Sequence, residues 1–232
     1  MAVPWQVLDR FITDDEGILE LRKRGKDDFL ITVGAQILMN SKAQRSEIAL
    51  GHLGCRNLEK HPAPRVLVGG LGMGITLRSV LDSLPETAEV IVAELNSKIH
   101  EWCCGPLAEL TAGAANDPRV TVTIADVAEL IRQAPKEHFD AIILDLYRGP
   151  GPQTNPLDDP VYGRHAIERT SNALGAGGIF AVWGENPDRG FEQRLADGGF
   201  AVRCERPGKG GYRHAVWVAI KERRRKRQQR KR

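Results

Sequence analysis

The sequence predicts an α/β protein: a doubly wound, mostly parallel seven-stranded sheet preceded by a small N-terminal β lid. Three observations predict it. From Arg65 onward, short apolar runs alternate with helical stretches, as repeated βα units do. One of those runs, Val66-Leu67-Val68-Gly69, leads into glycines at 70, 72 and 74 and then into a helix from Ile75 to Leu81. Acidic residues follow three of the strands at their carboxyl ends: Glu94, Asp126 and Asp145.

The lid is predicted over residues 1–60. Gly17 to Arg24 and Phe29 to Met39 alternate like strands around a polar turn, Gly25-Lys26-Asp27-Asp28, which reads as an antiparallel hairpin or meander. Gln44 to Leu58 reads as a helix with Ile48, Leu50, Leu53 and Leu58 on its apolar side. His61-Pro62-Ala63-Pro64 ends that helix and opens the main domain, residues 61–220. There the predicted strands are 65–69, 89–93, 119–124, 139–144, 178–183, 200–205 and 213–220. The predicted helices are 75–83, 97–110, 127–134, 161–174 and 188–197. The last two strands are joined by a glycine-rich link, Pro207 to Gly211, and are expected to pair antiparallel. Gly149 to Pro160 is a Pro/Gly/Asn/Asp-rich loop directly after a strand.

Composition narrows the class. At 232 residues with 41% apolar content, the chain has room for one real core and a small appendage. No run of 18 or more apolar residues is present, so no membrane helix is expected, and the first residues do not resemble a secretion signal. Cys55, Cys103, Cys104 and Cys204 form no CxxC pair, which favours reduced thiols and a cytoplasmic setting. The net charge of +3 is all in residues 221–232, which hold nine Lys or Arg. Without them, 24 basic residues face 29 acidic ones, a net charge of −5. Such a tail is either a solvated end or a weak contact for nucleic acid. His52, His61, His100 and His138 share no ligand spacing, and no metal site is expected.

The strand-end acids share one sheet edge, where open α/β sheets bind ligands. Glycines 70, 72 and 74 let the backbone approach a ligand, and the next helix N-terminus presents unpaired N–H groups. Glu94, 20 residues after Gly74, stands where a ribose diol is held. Asp126 can accept from an adenine amino group, and Asp145 is left near the reacting end. A dinucleotide is not excluded by the spacing alone.

From about Gly34 to Val182 the chain resembles the spermidine synthase family, a branch of the Rossmann-like class I S-adenosylmethionine-dependent methyltransferase fold. The resemblance lies in His61-Pro62-x-Pro64-Arg65-Val66-Leu67-Val68 with the glycine turn and Thr76-Leu77-Arg78. It continues in Val92-Ala93-Glu94-Leu95-Asn96, in Asp117-Pro118-Arg119-Val120 with Asp126, and in Phe139 to Asp145. It implies a cofactor contact set of Gly70, Gly72, Gly74, Glu94, Leu95, Asp126, Val127 and Asp145, with Asp145 catalytic. It also implies S-adenosylmethionine or its decarboxylated form as cofactor, and a homodimer.

The chain departs from that pattern at the acceptor. Met73 stands where aminopropyl-transferring members carry an aspartate, and Arg148 where they carry a diamine-binding aspartate. Arg45 and Ser46 replace Tyr and Gln or His ahead of the retained Glu47. An arginine within about 4 Å of a diamine ammonium would repel it by roughly 1 kcal/mol in water. The sequence therefore favours methyl transfer to a small-molecule acceptor, with Asp145, Tyr147 and Arg148 as catalytic candidates. Glu47, His165 and Trp183 are candidates for lining the substrate, and His214 reads as structural. The alternatives are polyamine-forming aminopropyl transfer and, in a different class, an RNA-associated or non-catalytic cofactor-binding protein.

Overall fold

The computed structural model describes residues 3–13, 17–209 and 213–222. The basic tail from Arg223 onward therefore lies outside the described residues, as do positions 210–212 of the last hairpin's link.

The main sheet has seven strands: β5 (Arg65–Gly69), β6 (Glu89–Glu94), β7 (Val120–Ile124), β8 (Phe139–Leu144), β9 (Leu174–Gly184), β10 (Phe200–Glu205) and β11 (Ala215–Lys221), in the order β10-β11-β9-β8-β5-β6-β7. All pairings are parallel except those of β11, which runs antiparallel to both β9 and β10. The chain leaves β5 toward β6 and leaves β8 toward β9, in opposite directions across the sheet. The carboxyl ends of β5 and β8 are therefore the topological switch point, where such sheets open a crevice.

Five helices follow strands of this sheet: α2 (Ile75–Asp82), α3 (Ser97–Cys104), α4 (Val127–Gln133), α5 (Arg164–Ala173) and α6 (Arg189–Asp197). Two apolar layers result. One, with Leu50, Val66, Val68, Leu77, Trp102 and Ile143, lies under α1 (Arg45–Gly54), α2, α3 and the N-terminal sheet. The other, with Leu67, Ile131, Phe180, Phe191 and Trp217, lies under α4, α5 and α6. Alternate residues of β5 enter opposite layers, as the period of two in a strand requires.

Three sequence boundaries shift for identifiable reasons. The helix expected over 97–110 stops at Cys104, because Gly105 and Pro106 follow; two short 3-10 turns take over. The helix expected from 161 starts at Arg164, because Asp159 first turns the chain by accepting from the Val161 and Tyr162 amides. The strand expected at 178 begins at Leu174, as an irregular start that pairs with Phe139.

Of the two forms expected for the lid, hairpin or meander, the structure has the meander. It is a four-stranded antiparallel meander of β1 (Gln6–Thr13), β2 (Gly17–Arg24), β3 (Asp28–Val33) and β4 (Gln36–Asn40). Gly34 at φ 55° breaks the expected Phe29–Met39 strand in two. β1 lacks a clean alternation because it is an edge strand exposed along most of its length, with a bulge near Leu8. The sheet is fastened to α3 by Trp102, whose Nε1 donates to Asp9 at 2.8 Å.

α1 is fixed by close packing. A side chain at Gly51 would meet Ser79 Cβ at 2.6 Å, and one at Gly54 would meet Ile143 at the same distance. Ser79 Oγ donates to the Ile48 carbonyl at 2.7 Å. The two glycines let α1 lie directly on α2 and the sheet, which carries the first turn of α1 to the strand ends.

Candidate active site

The switch point is built by backbone before side chains enter. The Asp145 amide donates to the Gly69 carbonyl at 2.8 Å, and the Gly70 amide to the Ala93 carbonyl at 2.8 Å. Gly70 (φ 87°) leaves so little room that a Cβ there would stand 2.3 Å from the Asp145 carbonyl oxygen. A Cβ at Gly72 (φ 51°) would meet Met39 Sδ at 2.5 Å, so the lid strand β4 covers the turn. The Cys103 thiol donates to the Gly72 carbonyl at 3.3 Å, and burial raises that thiol's pKa well above its usual value, keeping it protonated. Gly74 is the left-handed N-cap of α2.

Glu94 is tied into this turn. Its Oε2 accepts from the Leu71 amide and its Oε1 from the Asn96 amide, both at 2.9 Å. Each oxygen keeps a lone pair for a further donor, the capacity needed to hold two hydroxyls. Leu95 beside it is 74% exposed, a side chain able to cover a ligand. Asp126 caps α4, with Oδ1 accepting from the Ala128 amide at 2.8 Å, and its exposed carboxylate retains Oδ2. Val127 is buried against the sheet and contributes backbone at this edge.

The end expected to react carries two carboxylates, Asp145 and Glu47. Asp145 Oδ2 accepts a 2.5 Å hydrogen bond from Thr76 Oγ1, in the first turn of α2. Burial, and then the charge of Glu47 in the first turn of α1, push the Asp145 pKa up to about 7; the Thr76 bond pulls the other way. Glu47 in turn accepts from Ser46 Oγ at 2.7 Å. Among the described residues neither carboxylate has an arginine or lysine ion-pair partner. Glu47 and Asp145, 98 positions apart in sequence, are thus brought within electrostatic reach of one another, and Thr76 joins them as a donor that the motif contains but whose partner no spacing reveals.

The other candidates disperse around this pair. Met73 is 1% exposed and packs in the core, so the thioether does not line the crevice. Tyr147 and Arg148 are exposed on the loop after β8, with the guanidinium 6.0 Å from the Tyr147 ring. Their backbone is pinned from below: the Tyr162 hydroxyl donates to the Arg148 carbonyl at 2.9 Å. Burial and the nearby Asp159 and Asp145 keep that phenol protonated. His165, in the first turn of α5, is exposed and pairs with Asp158 of the preceding loop at 3.2 Å, apart from the carboxylate pair. Trp183, at the end of β9, sits edge-on to His214 with ring centroids 4.8 Å apart, and its Nε1 is buried without a partner among the described residues.

Asp117 and Arg119, from the segment expected to lie near adenine, serve the scaffold. They form a 2.8 Å ion pair, and Arg119 also donates to the carbonyls of Leu81, Leu84 and Pro85 at the end of α2. Arg119 holds the Asp117 carboxyl down at about 2. The described residues contain no cluster of three or more His, Cys, Asp or Glu suited to a metal ion, and no helix long and apolar enough to cross a membrane.

Comparison with known proteins agrees with this architecture. Residues 46–190 match the family described as the spermine/spermidine synthase domain. Polyamine aminopropyltransferase 1 of Hyperthermus butylicus is 36% identical over 126 residues, 53% of this chain and 41% of that protein. The polyamine aminopropyltransferase of Mycobacterium tuberculosis is 34% identical over 127 residues, 54% of this chain and 23% of that protein. These matches thus span less than half the length of either curated relative. The crystal structure of spermidine synthase from Thermotoga maritima superposes with a TM-score of 0.72 at 22% identity, over 93% of this chain and 73% of that one, which shows a shared fold. With the profile match covering well over half of its residues, the chain belongs to the spermine/spermidine synthase domain family.

Proposed function

We propose that this protein transfers an aminopropyl group from decarboxylated S-adenosylmethionine to a small-molecule amine. The family and the names of its relatives favour this over the methyl transfer expected from the sequence. The observation that carries the reading is the Asp145–Glu47 pair. Intact S-adenosylmethionine would bring a third carboxylate toward two acidic side chains, whereas the decarboxylated donor brings only a cationic amine. Met73, buried in the core, supplies no countercharge either way.

In this reading Gly70, Gly72 and Gly74 admit the donor's backbone-hugging portion, Glu94 takes the ribose hydroxyls and Asp126 the adenine edge. The acceptor nitrogen attacks the carbon next to the sulfonium; the C–N bond forms, the C–S bond breaks and its electron pair stays on sulfur. The nucleophile must be a neutral amine, so one proton has to leave the acceptor ammonium. A carboxylate whose pKa lies at about 7 is matched to that task. Calorimetry with the two donors tests the proposal. The decarboxylated form is expected to bind at least tenfold more tightly; equal or tighter binding of intact S-adenosylmethionine would restore methyl transfer.

A further inference from the structure

Ser46 is buried in the first turn of α1 between two polar partners. Its hydroxyl lies 2.7 Å from Glu47 Oε2 on one side and 3.1 Å from His214 Nδ1 on the other. A hydroxyl that donates one way accepts the other way, so the two bonds run in a common direction and can reverse together. His214 enters from the strand edge before β11, 168 positions away, and is held by Trp183 with its ring half-buried. Charged residues on the segments that carry its partners and its own strand are Arg45 and Glu47 of α1, Arg206 and Arg213 flanking the β10–β11 link, and Glu185 just after β9. Arg45 lies against Gly208 of that link, and Arg213 donates to the carbonyls of Arg206 and Gly208.

We propose that His214 is the outlet of a proton relay that drains the Asp145–Glu47 pair through Ser46, a positioning and proton-passing role resting on the aminopropyl-transfer reading. The proton lost by the acceptor ammonium passes to the carboxylate pair. Protonated Glu47 gives a proton to Ser46 Oγ as the Ser46 proton moves to Nδ1 of a neutral His214 imidazole. The resulting imidazolium releases one proton to solvent, and exchange with water restores the starting tautomer. One proton enters and one leaves per turnover, with no oxidant or reductant. Ser46 is smaller than the Gln or His of the resembled pattern, and the His214 imidazole stands 3.1 Å from its hydroxyl.

The test uses Ser46→Ala, His214→Ala and His214→Gln in the full chain. Release of the adenosyl thioether product is followed from pH 6 to 9.5, with affinity for that thioether measured alongside. All three variants are expected to lose at least tenfold in kcat below pH 8, to recover toward high pH, and to keep thioether affinity within twofold. Imidazole in the buffer is expected to rescue His214→Ala. Parallel loss at every pH without rescue would show a structural role and overturn the relay. A readout independent of turnover is the imidazole nitrogen titration of His214 by NMR. Ser46→Ala and Glu47→Gln are each expected to move its midpoint; an unmoved midpoint in both overturns the relay. A wild-type protein inactive with every amine, but with a coupled His214 titration, would instead indict the aminopropyl reading.

Discussion

The two halves of the crevice are held in different ways. On the β6 side, Glu94 is clamped by two backbone amides and the glycine turn by carbonyl and thiol contacts, so main-chain groups take part in every one of these bonds. On the β8 side, Asp145, Thr76, Glu47, Ser46 and His214 hold one another through side chains drawn from four elements. Main-chain anchoring makes a stiff grip, which suits the constant nucleoside of the proposed donor. Side-chain networks can titrate and be rebuilt, which suits the proposed reacting end, where protons move and acceptors vary.

The sharpest way to break the contrast is Asp145→Asn. Under the proposed function, turnover is expected to fall by about 10²–10⁴-fold, far more than donor affinity, because the proposed general base is lost while the β6 side is untouched. Its stability effect has the opposite sign. The folded-state pKa of about 7 lies above the unfolded value, so the folded state binds more protons between pH 4 and 7 and stability declines as pH rises through that window. Removing the acid is therefore expected to stabilise the protein at pH 8 by about 1–3 kcal/mol, read by thermal melts. A variant that melts earlier at pH 8 would mean Asp145 is not strained by burial and by Glu47.

Next in size, Glu94→Ala is expected to cost about 2–3 kcal/mol in donor binding, because charge-assisted bonds are lost and the Leu71 amide is orphaned. Calorimetry reads it, and turnover at saturating donor should change far less. Arg119→Ala should destabilise the fold by about 2 kcal/mol through three lost carbonyl bonds and a broken, partly buried ion pair. Asp117's depressed pKa means the pair's contribution is present above pH 4 and is lost as pH falls toward about 2, so in acid melts the gap between wild type and variant should narrow to the part owed to the carbonyl bonds. The smallest effect belongs to the exposed loop. Arg148→Asp is expected to improve kcat/KM for a diamine by about 1 kcal/mol, a few-fold, by replacing repulsion with attraction. No change would place the distal ammonium away from this loop.

These contrasts also explain what the sequence disclosed. The strand ends at Glu94, Asp126 and Asp145 were legible because a parallel sheet brings the carboxyl ends of its strands to one edge, whatever lies between. The β10–β11 pairing was legible for a similar reason, a short link between two apolar runs. β1 was not, since an edge strand exposed on most of its length has no burial pattern to betray it. The Ser46–His214 contact spans 168 positions and depends on how α1 seats on α2 through Gly51, which no local periodicity encodes. His165 shows the converse: a histidine after a loop of binding-site composition, yet engaged with Asp158 alone on the surface.

The phenol under the β8 loop has a practical corollary. Because Tyr162 fastens the chain at the carbonyl of Arg148, it holds position 148 by main chain and leaves the side chains of Tyr147 and Arg148 uncommitted to the core. The pair at 147 and 148 can then be exchanged like a removable cassette, latched from below by that phenol. Under the proposed function, libraries confined to it would vary which amine is greeted at the entrance while the proposed nucleoside berth on the far side keeps its shape.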